Sequence, residues 1–233
     1  MRINKYLADC GAASRRACDK LIEEGKVKVN GKPAVIGQEI NTDNDTVTLD
    51  GIKLVLSKKN LYLMFNKPKG CICTRNDEKG RKTIYDYVDL KERLVSVGRL
   101  DYDSEGLLIL TTDGALVNYL THPSNEIPKT YHVKIDGEVL QSDLATLRAG
   151  VEIDGVKTSR AKIKLIEFSD NISRFEMTIY EGRNRQIKKM FETIGKEVLF
   201  LKRVSIGDLK LGGLSRGAHR ELTPLEVNYL KKL

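Results

Sequence analysis

The sequence has no tryptophan, three histidines, four cysteines and five prolines, and aromatic residues make up only 6% of it. Each shortage excludes something. Four cysteines, at positions 10, 18, 71 and 73, are too few and too scattered for a disulfide-stapled scaffold. Only Cys71 and Cys73 are close, and alternate strand positions make a poor tetrahedral ligand pair. With three dispersed histidines, no structural metal is expected. Long apolar runs are missing too. The longest, "LLIL", "VLFL" and "LYLMF", are of strand length and far short of a bilayer span. The opening "MRINKYLADC" lacks the apolar core of a secretory signal. These absences predict reduced thiols, no membrane partner and a cytoplasmic protein.

What is present is charge, and it is clustered. The chain of 233 residues is 40% apolar and 31% charged, with a net charge of +8. It is long enough for one large domain or two modest ones. Residues 2–32 carry eight basic side chains against four acids, and residues 181–203 carry seven against three. Two separated patches therefore account for the whole excess, which predicts a polyanionic partner.

Local patterns give the elements. Residues 3–9 read as a short helix. Ser14 is positioned to cap a second, "RRACDKLIEEG", which Gly25 ends. "KVKVNGKPAVI" alternates about Asn30-Gly31, and "DTVTLDGIKLVL" about Asp50-Gly51, both strong hairpin turns. The polar break "SKKN" (57–60) predicts a boundary, giving domains 1–57 and 58–233. Beyond it, "LYLMFNKP", "SVGRLD", "GLLILTT", "KTYHVKIDGEV", "VKTSRAKIKLIEF", "SRFEMTIYEG" and "VLFLKRVSIGDLKL" read as strands. "GALVNYLTH", a capped "SDLATLRAG", "NRQIKKMFETIG" and "PLEVNYLKKL" read as helices. Hairpin-linked strands with inserted helices predict an α+β fold: a small α/β domain, then a mixed, mainly antiparallel sheet. No large apolar face is advertised, so a monomer is expected.

The chemistry concentrates in "GRLDYDSEGLLILTTDG" (98–114). Asp101, Asp103, Glu105 and Gly106 copy the opening of a calcium loop, yet the twelfth position is Thr112 and a strand follows, so calcium is not expected. A carboxylate held ionised by a neighbouring cation could instead act as nucleophile or base at a sugar's anomeric carbon. Arg99 and the basic helix at 184–195 are the candidate cations. No second carboxylic acid is set as proton donor, so the leaving group should need little help, as a uracil anion would.

The order of motifs then carries a resemblance. "RINKYLADCGAASRRACDKLIEEGKVKVNGK" resembles the RNA-binding domain named after ribosomal protein S-four, which implies that Arg2, Lys5, Ser14, Arg15, Arg16 and Lys28 lie near phosphates. "GRLDYDSEGLLILTTDG" is similar to the catalytic motif of pseudouridine synthases of the RsuA family, which act on ribosomal RNA. "NKPKG" (66–70), "KTY" (129–131) and "EGRNRQIKKMF" (181–191) resemble its other motifs, in the expected order. The resemblance implies a catalytic domain of pseudouridine synthase type with Asp101 as catalytic carboxylate, Tyr131 stacked on an extruded uracil, and Lys188 paired with Asp101. It also implies Arg99 at the motif turn or on phosphate, Arg183, Arg185 and Lys189 on phosphates, and Leu201 lining the base pocket or part of the ordinary core. The implied reaction needs no cofactor and no metal, and the implied partner is ribosomal RNA or a ribosomal precursor particle. The wording after "NRQ" is nearer the large-subunit branch. Small-subunit ribosomal RNA, transfer RNA, or a role as a non-catalytic assembly factor remain as alternatives.

Overall fold

The computed structural model describes residues 1–57, 59–75, 77–90 and 92–233. The expected boundary after residue 57 abuts Lys58, which lies outside the described residues. The chain divides into two compact units, the first holding Met1–Leu61 and two short later pieces, one of them Thr112–Gly114.

The first unit is built from two helices and two small hairpins. Helix α1 spans Ile3–Asp9 and α2 spans Arg15–Glu23. Ser14 caps α2 as expected, its hydroxyl accepting from the Ala17 amide at 3.2 Å. Strands β1 (Val27–Val29) and β2 (Lys32–Pro33) turn through Asn30 and Gly31, both with positive φ. Strands β3 (Val47–Leu49) and β4 (Ile52–Lys53) repeat this at Asp50 and Gly51. Consecutive left-handed residues match the twist of the flanking strands, which is why Asn-Gly and Asp-Gly make these turns. Ile3, Leu7, Cys18, Ile22, Val27 and Val47 close the core of this unit.

The second unit is organised by one large sheet. Its strands are β5 (Tyr62–Lys67), β6 (Val95–Ser96), β7 (Glu105–Thr111), β8 (Lys129–Asp136), then a separate small hairpin β9 (Glu152–Ile153) and β10 (Val156–Lys157). β11 (Lys162–Ser169), β12 (Ile172–Ile179), β13 (Val198–Ile206), β14 (Leu209–Lys210) and β15 (His219–Glu221) complete the set. The order is β11-β12-β8-β13-β7-β5-β15, with β14 on β13 and β6 on β7. Every pairing is antiparallel except β13 with β7, so the sheet is mixed and mainly antiparallel as expected. Helices α3 (Gly114–Thr121), α4 (Gln141–Ala149), α5 (Gln186–Glu192) and α6 (Pro224–Leu230) pack on it.

Two apolar cores flank the sheet. One gathers Val133, Ile135, Phe175 and Met177 with Leu144 and Leu147 of α4 and Ile187, Met190 and Phe191 of α5. The other gathers Leu107, Ile109, Ile206, Leu116, Leu120 and Leu230. Strand β7 is buried at every position, which explains its unbroken apolar run.

Several expected elements differ. Of "SVGRLD" (96–101) only Ser96 is strand, at the end of β6, because Gly98 turns the chain at positive φ. "VLFLKRVSIGDLKL" is not one strand. It folds back at Gly207 into β13 and β14. α4 begins at Gln141 after Leu140, with no side-chain cap. "VKTSRAKIKLIEF" is broken into β10 and β11, and strands β9 and β15, too short for any periodicity to show, were not expected.

Candidate active site

The turn that presents Asp101 is fixed by a buried lysine. Lys67 ends β5 with no exposed surface, and its ammonium donates to the carbonyls of Pro68 (3.1 Å), Asp101 (2.9 Å) and Ser104 (2.9 Å). Burial pushes its pKa down, while the nearby thiols of Cys71 and Cys73 and the carboxyls of Asp101 and Asp103 oppose that. The Ser104 amide donates to the Asp101 carbonyl at 3.1 Å, and the Gly70 amide to the Tyr102 carbonyl at 2.8 Å. The 101–104 turn is thus tied to "NKPKG" through backbone oxygens. Both carboxylates of the turn stay free for other partners.

The three acids of this stretch then go three ways. Asp101 is half-buried and lines a cleft of about 250 Å³. Asp103 is paired with Lys188. Burial raises the Asp103 carboxyl, but the hydrogen bond and charge of Lys188 outweigh it and hold the group below its ordinary value. Glu105 is 2% exposed and receives Arg216 at 3.0 Å. The acids do not converge on one point.

The pairing expected for Lys188 is therefore corrected. Its ammonium meets Asp103, two residues past Asp101, and among the described residues the Asp101 carboxylate makes no ion pair or hydrogen bond. Spacing in sequence could not choose between two aspartates at the tips of one tight turn.

Tyr131 sits on β8, 7% exposed, opposite Arg203 of β13 in register. It lines the same cleft as Asp101, and Leu201, Arg99, Arg183 and Arg185 join them. Leu201 is buried, whereas Arg99 and Arg185 are exposed. Arg183 has a different employment from the one expected. Its guanidinium bonds the Glu181 carboxylate (3.1 Å) and the carbonyls of Val156 (3.0 Å) and Lys157 (2.9 Å). Lys189 is bonded to Asp154 on the β9–β10 turn and does not line the cleft. Both residues brace the small hairpin, and no phosphate is needed to satisfy them. In the first unit, Arg2, Lys5, Ser14, Arg15, Arg16 and Lys28 are all exposed.

Four functional candidates escaped the sequence reading. Lys67 was hidden within a motif whose lysine looks like any surface lysine. Gln186, 4% exposed, accepts from the Arg183 amide (3.0 Å) and donates to Glu181 (2.9 Å), locking the loop before α5. That loop ends at Arg185, held at φ 50°, a conformation costly for a residue with a side chain. Lys129 and Arg203 line the cleft beside Tyr131. The Lys129 ammonium donates to the Ile127 carbonyl at 2.8 Å; burial, and then the Arg203 charge, push its pKa down to about 8.

A carboxylate free of partners, an aromatic face and a surround of cations suit chemistry on an anionic polymer that offers a flat base. Comparison with known proteins decides the family. Residues 61–193 match the model of RNA pseudouridylate synthase, and residues 1–47 match that of the S4 domain. The chain belongs to the RNA pseudouridylate synthase family. It is 44% identical to the ribosomal large subunit pseudouridine synthase B of Bacillus subtilis, over all of this chain and 96% of that protein. It is 39% identical to the protein of the same name in Haemophilus influenzae, over all of this chain and 67% of that one. Among solved structures, a pseudouridylate synthase crystal structure superposes with a TM-score of 0.72 at 33% identity, covering 99% of both chains. Members of this family isomerise uridine in RNA, and the cleft around Asp101 holds a carboxylate that has no ion pair or hydrogen bond among the described residues.

Proposed function

We propose that the protein isomerises a specific uridine of large-subunit ribosomal RNA to pseudouridine, with Asp101 as the catalytic carboxylate. The observation that carries this is the joint placement of Asp101 and Tyr131 on one basic cleft, with the Asp101 turn clamped from beneath by Lys67. The names of two similar proteins support the large-subunit target.

The steps follow from the residues. The uridine leaves its stack, at a cost of a few kcal/mol, and its base lies on Tyr131. Asp101 assists rupture of the bond between C1′ and N1. The freed uracil turns within the cleft, C1′ bonds to C5, and the C5 proton is transferred to N1. Reactant and product have the same atoms and oxidation level, so no co-substrate is consumed. Buried Leu201 and Ile187 line the same space and exclude water from the loose base. The S4 unit holds the RNA through its exposed cations, and the protein works as a cytoplasmic monomer on ribosomal RNA or a precursor particle.

Deleting the gene and mapping pseudouridine in all stable RNAs tests this. One site lost from large-subunit ribosomal RNA, restored by the wild-type protein and not by Asp101→Asn, is the expected result. A site lost from small-subunit or transfer RNA would reassign the target. No lost site would support a non-catalytic assembly role.

A further inference from the structure

Arg203 is a buried ion with an unsatisfied donor. It is 3% exposed, and its Nε donates to the Leu107 carbonyl at 2.7 Å. Its Nη2 is buried with no hydrogen-bond partner, and among the described residues it has no carboxylate partner. A buried guanidinium without a counter-ion is expensive, and an orphaned buried donor calls for a reason. The position is also not accidental. β13 runs parallel to β7 at this point, Arg203 opposite Gly106, and a Cβ on Gly106 would overlap the Arg203 backbone. Glycine at 106 lets the two strands close, which sets Arg203 into the floor of the cleft beside Tyr131 and Leu201.

A second cation stands with it. Lys129 also lines the cleft, and among the described residues its ammonium is bonded to the Ile127 carbonyl alone. The acids lining the cleft are Asp101 and Glu181. Glu181 is already taken by Arg183, Gln186 and the Ser159 amide. Among the described residues, Arg203 and Lys129 therefore line the cleft bonded to carbonyls and to no carboxylate, and Asp101 is the lining acid that is not already engaged. A backbone phosphate would meet Arg99 and Arg185, which are exposed; buried Arg203, paired in register with Tyr131, is better placed to meet a base.

We propose that Arg203, assisted by Lys129, binds the carbonyl oxygens of the uracil and stabilises the negative charge they acquire as the glycosidic bond breaks. This rests on the reading that the cleft isomerises uridine. When C1′–N1 breaks, its electron pair departs with the base, and the charge spreads over N1 and the two carbonyl oxygens. When C1′–C5 forms, that pair is returned to the sugar carbon, and the C5 proton then moves to N1. Arg203 neither gains nor gives a proton. It is a preorganised donor for charge that exists only between the two bond-making events.

The test compares two RNA substrates that differ in leaving group, one carrying uridine and one 5-fluorouridine at the target. Fluorine withdraws electrons, so the fluorinated base leaves as an anion with less help. Single-turnover loss of the target nucleotide and RNA affinity are measured for Arg203→Gln and Lys129→Gln, with Asp101→Asn as control and thermal melting as the check on folding. For Arg203→Gln a loss of about 100-fold in rate on uridine RNA is expected, as for one removed oxyanion donor. RNA affinity should stay within about twofold, and the rate defect should shrink about tenfold or more on 5-fluorouridine RNA. Lys129→Gln should show the same pattern at smaller size. An equal defect on both substrates, an unchanged rate, or a rate loss matched by lost affinity would overturn the proposal. If Arg203→Gln does not fold, Lys129→Gln decides by the same comparison. Turnover by Asp101→Asn would overturn the underlying reading; inactive Asp101→Asn beside fully active Arg203 and Lys129 variants would overturn this proposal alone.

Discussion

At the scale of single residues, the second unit is governed by where charges find partners. Lys67 shows the logic. A lysine with no exposed surface is retained because three carbonyls surround its ammonium, one of them on Asp101 and one on Ser104. Lys67→Met would leave those oxygens buried and unsatisfied, at roughly 3 kcal/mol in total. Denaturant unfolding should show that loss, and kcat should fall more than KM changes, because the turn carrying Asp101 loosens. Lys129 makes a prediction about pH. Its ordinary value of 10.5 is lowered to about 8 in the fold by burial and by Arg203. Between those two values the unfolded chain binds more protons than the native one, so this residue's contribution to stability rises with pH across that window. Comparing melting of wild type and Lys129→Gln from pH 7.5 to 10 measures it. The difference between the two should drift in favour of wild type as pH rises; a constant difference would show that Lys129 is not desolvated.

Among elements, the close parallel contact between β7 and β13 places the most demand on sequence. Gly106 has φ +109° and no room for a Cβ against Arg203. Gly106→Ala is expected to cost about 3 kcal/mol, from backbone strain and overpacking together, with Tm as the measurement. Activity should fall beyond what the lost folded fraction explains, since Arg203 shifts with its strand. The loop before α5 makes a second case. Glu181, Arg183 and Gln186 bind one another and the β9–β10 hairpin, so "EGRNRQ" is largely a scaffold that ends by lifting Arg185 into the cleft rim. Short sequence distance made these groups look like one phosphate-binding row. Their hydrogen bonds divide them into braces and a rim.

Across the whole molecule, the first unit carries exposed cations and the second carries the Asp101 carboxylate, and the proposed function divides RNA binding from chemistry along that line. An exposed patch on a polyanion acts by releasing counter-ions. The combined Arg15→Gln, Arg16→Gln and Lys28→Gln change should therefore weaken RNA binding and flatten its salt dependence, while saturating RNA restores the wild-type kcat. Filter binding across a salt series, paired with saturating turnover, checks both arms. An unchanged salt slope would remove the first unit from substrate binding.

The elements and the order of their chemistry are legible in the chain: the cap at Ser14, the Asn30-Gly31 and Asp50-Gly51 turns, the buried β7 run and the acidic turn before it. These depend on dihedral preference, periodicity and residues within a few positions of each other, which a linear reading can weigh. The partners of the charged groups are set by folding. Lys67 reaches Asp101 across 34 positions, and Arg216 reaches Glu105 across 111. Among the described residues, Lys188 meets Asp103 and leaves Asp101 unpaired, and Arg203 is buried with no acid bonded to it. Strand register and burial set those choices, because the strength of a charge contact depends on the distance and desolvation that folding alone supplies.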